Sequence, residues 1–204
     1  MKELMFYTIS LITILNPIAG AAIMLSLVKF SDIPEVAKKS SLTVFIASIA
    51  TMFLGGEILR LFGINIPSIK AIGGVVLLLI AIHMIQGKEI TSANSTKEEH
   101  DAAQEKEDIA IIPLAIPILF GPGVITTIIV LSHKAVTLQE KALLILAIFV
   151  SSLITYLTLL NANKISKFLG VNGIKIASRI MGLIIGAVAF LFLVGGIKTL
   201  WEVL

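Results

Sequence analysis

The sequence predicts an all-α membrane protein, with six transmembrane helices forming two inverted three-helix repeats and with spans 1 and 4 broken at Pro/Gly motifs. Three observations predict it. Of 204 residues, 57% are hydrophobic and only 14% charged, and mean hydropathy is +1.02, far from an ordinary soluble domain. The charges cluster, leaving six apolar runs at about 4–28, 40–61, 68–87, 109–132, 142–162 and 177–200, each of the length that crosses a bilayer. Two of those runs carry prolines and glycines that no continuous helix accommodates.

The first run is interrupted by N-P-I-A-G at residues 16–20. Pro17 lacks the N–H that would bond the carbonyl of Thr13. A signal peptide is the competing reading of residues 1–22, since Lys2 precedes an apolar stretch with Ala19 and Ala21 near its end. Glu3 offsets Lys2, however, and the apolar run continues to Val28, so a retained span is expected.

Residues 29–41 read as a polar turn with three lysines. The second span carries Ser48, Thr51, Glu57 and Arg60. A tight connection, G-I-N-I-P, leads into the third, which holds Gly73, Gly74 and His83. Residues 88–108 form the one long hydrophilic stretch, expected to be a linker with a short helix near 97–107. The fourth run contains I-P-L-A-I-P-I-L-F-G-P-G-V-I-T-T, in which Pro117 and Pro122 each leave a carbonyl without its usual partner. Gly121 is pushed from helical dihedrals by the proline after it. Free backbone is expensive in hydrocarbon and is tolerated only against protein or a wet cavity.

The second half retraces the first. Pro17 aligns with Pro122, so Asn16 answers Gly121. Ser48, Thr51 and Glu57 have the spacing of Ser152, Thr155 and Asn161. Gly63-Ile64-Asn65 matches Gly170-Val171-Asn172, and Gly74 and Gly87 match Gly182 and Gly195. The expected units are residues 1–87, a linker at 88–108, and residues 109–204. Three spans per half is an odd number, so the halves enter the membrane from opposite sides and the repeat is inverted. Ten of the 16 lysines and arginines fall on the linker's side and six on the other. By the positive-inside rule the linker is cytoplasmic and both termini lie outside the cell (inner) membrane.

Several function classes lose support. The net charge of +3 comes from loop lysines, and no basic stripe interleaved with aromatics argues for nucleic acid. There is no cysteine, hence no disulfide or thiolate metal site, and no cofactor or metal is expected. H-E-x-x-H, a G-x-S-x-G elbow and paired intramembrane aspartates are all missing, so an enzyme is not expected. A small-solute channel or an exporter of another metabolite remains as the alternative to a carrier. Gly182 and Gly186, with the pairs at 73–74 and 195–196, suit close helix packing, with a dimer seam as the second reading. Tyr7 and Trp201 suit the outer interface.

N-P-I-A-G in the first span, A-I-P-I-L-F-G-P-G-V-I-T-T in the fourth, and two three-span halves around a hydrophilic linker resemble the MarC family. That family is related to the small neutral amino-acid transporters called SnatA and, more distantly, to LysE-type exporters. The resemblance covers nearly the whole chain, although Ala19 stands where many relatives have glycine. It implies secondary transport of glycine, alanine and similar small neutral amino acids across the bilayer.

The residues point the same way. A broken span offers a half-helix C-terminus rich in free carbonyls and a half-helix N-terminus rich in free N–H groups. Carbonyls of Thr13, Ile14 and Leu119 suit an ammonium, and N–H groups after Gly20 and Gly123 suit a carboxylate. Gly20, Gly121 and Gly123 allow close approach. Pro17 and Pro122 make the breaks, and Asn16, Thr126 and Thr127 add side-chain bonds. Ser48 with Thr51, and Ser152 with Thr155, each line one helix face. They complete a cavity wall, or bond to neighbouring helices and their own carbonyls. Glu57 is the one carboxylate inside an apolar run and so a candidate proton relay. Arg60, three residues on, makes an interfacial ion pair the simpler account. The linker's side is open to test: a cysteine at Ser95 is expected to resist an impermeant maleimide in intact right-side-out cells, whereas one at Glu3 or Glu202 is labelled. Labelling at Ser95 reverses the orientation.

Overall fold

A computed structural model of the chain describes residues 2–87 and 110–203, and every regular element within them is helical. Helices α1 (Lys2–Leu15) and α2 (Pro17–Leu27) meet at Asn16. A single 3-10 turn, Phe30–Asp32, leads to α3 (Ile33–Leu61) and then α4 (Ile66–Gln86). After the linker come α5 (Ala110–Leu119), α6 (Pro122–Lys134), α7 (Leu138–Leu160) and α8 (Ala162–Val203). Five stretches are long and apolar enough to cross a membrane by themselves: Lys2–Leu27, Phe30–Leu61, Ile66–Gln86, Leu138–Leu160 and Asn172–Glu202. Segments α5 and α6, bent by 61° at their junction, are long and apolar enough to make a sixth when taken together as one span. The chain is therefore an integral multi-pass protein, and the six runs read from composition coincide with these stretches. The helix expected near 97–107 lies outside the described residues.

Three expectations change. The polar turn expected at 29–41 is mostly helix, because α3 starts at Ile33. Pro34 sits in its first turn, where its fixed φ and missing N–H cost nothing, and Lys39 pairs with Glu35 at 3.0 Å one turn on. Polarity there marks the start of a helix, not a loop. Likewise α8 begins directly after the fifth span. Asn161 joins the two, its side chain donating to the Leu157 carbonyl at 2.8 Å while its own carbonyl accepts from Ile165 at 3.0 Å. The third change is Tyr7, only 6% exposed and packed with Leu11 in the core. It lies one helical turn before Leu11 on the face of α1 that meets α7, so burial overrides an interfacial role. Trp201 is 80% exposed, as an anchor would be.

The helices pack as two groups. Leu11, Met24, Val44, Leu114, Ile128, Leu144 and Ile148 belong to a large core built from α1, α2, α3, α5, α6 and α7. Leu77, Ala81 and Met84 of α4 form a second, smaller core with Ile185 and Ala189 of α8. Ile14, the residue before the last of α1, packs against both.

Small residues let α4 and α8 come to backbone contact. A Cβ on Gly74 would stand 2.5 Å from the Leu193 nitrogen and 2.8 Å from the Ala189 carbonyl oxygen. One on Gly182 would stand 3.1 Å from the Ala81 carbonyl oxygen and 3.2 Å from Ile85 Cγ1. These contacts are reciprocal: an offset of 108 residues carries Gly74 to Gly182, Ala81 to Ala189 and Ile85 to Leu193. The ends repeat the pattern, with Gly87 facing the Arg179 side chain and Gly195 facing Lys70. Early residues of α4 meet late residues of α8, so the pair is antiparallel. Self-complementary contacts of this kind are what a two-fold axis imposes. Elsewhere, Gly63 (φ 66°) and Gly170 (φ 63°) both have positive φ ahead of the third and sixth spans, and Gly170, with ψ 176°, kinks α8.

The close packing yields a stability prediction. Gly74→Ala places a methyl against α8 backbone that has no rotamer to yield, and overpacking of this kind costs about 1–3 kcal/mol. Thermal unfolding in detergent is expected to shift down by several degrees. Gly56→Ala, whose Cβ meets nothing within 4 Å, is expected to leave the midpoint in place or raise it.

Candidate functional site

At the first break the backbone leaves α1 through Asn16, whose φ of 45° and ψ of 62° are left-handed. Asparagine tolerates that region better than most side chains. Pro17 then opens α2, and the Asn16 side chain accepts from the Ala19 N–H at 3.4 Å, a long N-cap bond. The second break is wider. Ile112 and Ile116 are extended within α5, Ile116–Pro117 is a cis peptide, and Gly121 is extended before Pro122 opens α6. Phe120 still finds an acceptor, its N–H donating to the Ala115 carbonyl at 2.7 Å.

The two breaks meet. Between them lies a cavity of about 210 Å³ lined by Ile14, Asn16, Gly20, Leu119, Gly121, Pro122 and Gly123, all singled out from sequence. Its volume falls below the ~300–1,000 Å³ of drug-sized pockets. Among the described residues Asn16 supplies the one polar side chain in the lining, and none of the lining residues is ionisable. Other walls come from Ile80 and Met84 of α4, Ile185 of α8, and Ala19, Ile23 and Pro117 beside the breaks. Sequence reading missed Ile80, Met84 and Ile185, which are apolar residues on apolar helices and carry no local signal. Their presence follows from the α4–α8 pair docking against the breaks.

The other residues singled out stand outside this lining. Thr13, Thr126 and Thr127 are buried close by. Thr127 donates to the Gly123 carbonyl at 2.8 Å, and Thr126 packs against Gly73 of α4, where a Cβ would stand 2.7 Å from its Oγ1. Pro17 is buried at the start of α2. On the second polar face, Thr155 donates to its own Ser151 carbonyl at 2.9 Å, and Ser151 reaches Thr8 of α1 at 3.5 Å. Ser48 and Ser152 are buried and Thr51 is half-buried. Helices α3 and α1 both pack on α7 here, and none of the four hydroxyls is in the cavity lining. Glu57 pairs with Arg60 at 3.3 Å, both side chains well exposed, and is not part of the cavity lining.

Two details of the backbone differ from expectation. Helix α2 starts at Pro17 rather than after Gly20, and the Gly20 N–H already donates to the Asn16 carbonyl at 3.2 Å. Pro17 and Pro122 carry no N–H and those of Ala19, Gly20 and Val124 are already bonded, which leaves the Ile18 and Gly123 N–H groups in the first turns as donors for an anion. The glycines also serve protein contact: a Cβ on Gly20 would stand 2.6 Å from Leu119 Cδ2, and one on Gly123 would stand 2.5 Å from Leu77 Cδ2. They bring the breaks together around the cavity.

Relatives of this chain share its span. It is 39% identical over 192 residues to a UPF0056 membrane protein of Methanocaldococcus jannaschii, covering 93% of each chain. It is 38% identical to one from Aquifex aeolicus, covering 94% of this chain and 91% of that one. It is 32% identical to the UPF0056 membrane protein YvbG of Bacillus subtilis, covering 96% and 94%. No solved structure matches significantly. The family model described as MarC family integral membrane protein matches residues 1–201, and with that match over nearly its whole length the chain belongs to the MarC family of integral membrane proteins.

Proposed function

We propose that this protein is a secondary transporter that moves small neutral amino acids, glycine and alanine foremost, across the cell membrane by alternating access. The observation that carries the reading is the meeting of two interrupted spans, one from each half, around a small cavity without ionisable side chains. An uncharged site disfavours a net charge on its occupant, because desolvating an unpaired ion is costly. A zwitterion fits if its two charges meet backbone dipoles of opposite sign. The ends of α1 and α5 offer carbonyls and the first turns of α2 and α6 offer N–H groups. The reciprocal packing of α4 and α8, and the positive φ shared by Gly63 and Gly170, support halves related by an inverted repeat. In that architecture two units rock against each other about a central site. The halves are residues 1–87 and 109–204, the linker is cytoplasmic, and both termini are outside. A channel through the same cavity is the second class, and only flux behaviour separates the two.

Counterflow is the test. Proteoliposomes preloaded with unlabelled glycine are expected to accumulate labelled glycine transiently above the level of empty ones. Alanine should compete, and leucine and phenylalanine should compete poorly. Flux indifferent to preloading would make the protein a channel. Gly123→Val drives side-chain atoms into Leu77 and Ile14 and narrows the cavity. Glycine flux is expected to fall at least about tenfold, an ordinary consequence of overpacking a site by 1–3 kcal/mol. Undiminished flux would place the site elsewhere. Glu57→Gln, which removes only an exposed ion pair, is expected to keep concentrative uptake. Preserved exchange with lost concentration under a proton gradient would make Glu57 the relay.

A further inference from the structure

Asn16 holds a position that packing alone does not explain. Among the described residues it is the only non-glycine with positive φ, in a place where glycine would adopt the conformation without penalty. Its counterpart in the second half, Gly121, is a glycine with extended backbone. The Asn16 side chain is buried, 8% exposed, and lines the cavity. Its oxygen makes the long cap bond to Ala19. Its nitrogen, with two protons to give, has Met84 Sδ at 3.8 Å as its one partner among the described residues, and a thioether is a weak acceptor. A buried amide is normally bonded to something stronger, because leaving such a donor half-satisfied costs free energy. Met84 is itself buried, at 4% exposure, on an unbranched side chain that repacks readily.

We propose that the Asn16 amide nitrogen is the specificity-determining donor of the cavity, latched in the empty state by Met84 Sδ, and that the carboxylate of an amino-acid ligand displaces the sulfur to take this bond. The proposal rests on the cavity being the transport site. A carboxylate oxygen is a far better acceptor than a thioether, so exchange of partners favours the ligand. The same exchange frees Met84 to turn away and enlarge the space beside Ile80. Selection follows: a solute with an ammonium but no carboxylate leaves the donor on sulfur and gains nothing there. Sites built to hydrogen-bond a polar group discriminate strongly against analogues that lack it.

Equilibrium binding of radiolabelled glycine to the purified full-length protein in nanodiscs tests this, with unlabelled aminoethanol as a competitor that keeps the amine and lacks the carboxylate. In the unmodified protein glycine is expected to bind, and aminoethanol to compete at least about tenfold less well, as loss of a hydrogen bond to a charged group implies. Asn16→Gly relieves the left-handed backbone and forfeits only a weak cap, so its unfolding midpoint is expected to stay level or rise. It should nevertheless bind glycine at least about tenfold more weakly and lose most of the discrimination. Met84→Leu removes the competing acceptor at similar volume and should tighten glycine binding about two- to tenfold. Glycine binding and discrimination that survive in Asn16→Gly overturn the donor assignment while leaving the cavity as the site. Unchanged affinity in Met84→Leu overturns the latch. No glycine binding by the unmodified protein overturns the reading of the cavity itself.

Discussion

A membrane offers no water to a backbone that leaves its helix, and this constraint organises the molecule. The chain leaves its helices within two spans, at Asn16 and between α5 and α6, and both places must be turned inward. They are turned toward each other. Partial satisfaction comes from nearby groups: the Asn16 side chain reaches Ala19, its carbonyl serves Gly20, and Phe120 reaches back to Ala115. Residues of both breaks line the shared cavity. The same necessity that protects the breaks from lipid therefore concentrates backbone dipoles at one place.

Holding them there falls to the α4–α8 pair. In lipid, helix association gains little from burying apolar surface, so close van der Waals fit must supply it. Gly74 and Gly182 provide that fit in both directions, and Gly196 extends it, its absent side chain standing where Pro67 and Ala71 backbone passes. The pair contributes Ile80, Met84 and Ile185 to the cavity, while Ile14 ties it to the larger core. The cavity lies where the two packing groups meet, with α4 and α8 on one side and the breaks on the other. Thr126 against Gly73 marks a second point where the groups touch, through α6 and α4.

The two breaks are alike in sequence position and unlike in conformation. One is a single left-handed residue, the other a longer excursion through extended isoleucines and a bend of 61°. Unequal conformations in matched segments give the cavity its lopsided walls, with two side chains from α4 against one from α8. They also put an amide on one side and bare glycine backbone on the other. Polarity is sparse in the cavity, which makes the partner of that amide matter more than it would in a wet cleft.

Composition alone determined the number and approximate limits of the spans, because crossing hydrocarbon demands apolar length whatever the fold. Proline and glycine likewise marked both breaks, since their backbone limits are local and need no neighbour. Paired residues such as Gly63 and Gly170 were legible too, and both have positive φ. Polar stretches misled where they begin a helix, as at the start of α3, because polarity reports surroundings and not backbone shape. Only tertiary structure decided which hydroxyls look inward: Thr155 and Thr127 turn to their own helix carbonyls, and Thr126 packs on Gly73. Met84 and Ile185 entered the site through tertiary structure as well. An apolar side chain on an apolar helix has no sequence mark that separates lipid from cavity, and only the docking of one helix on another makes the distinction.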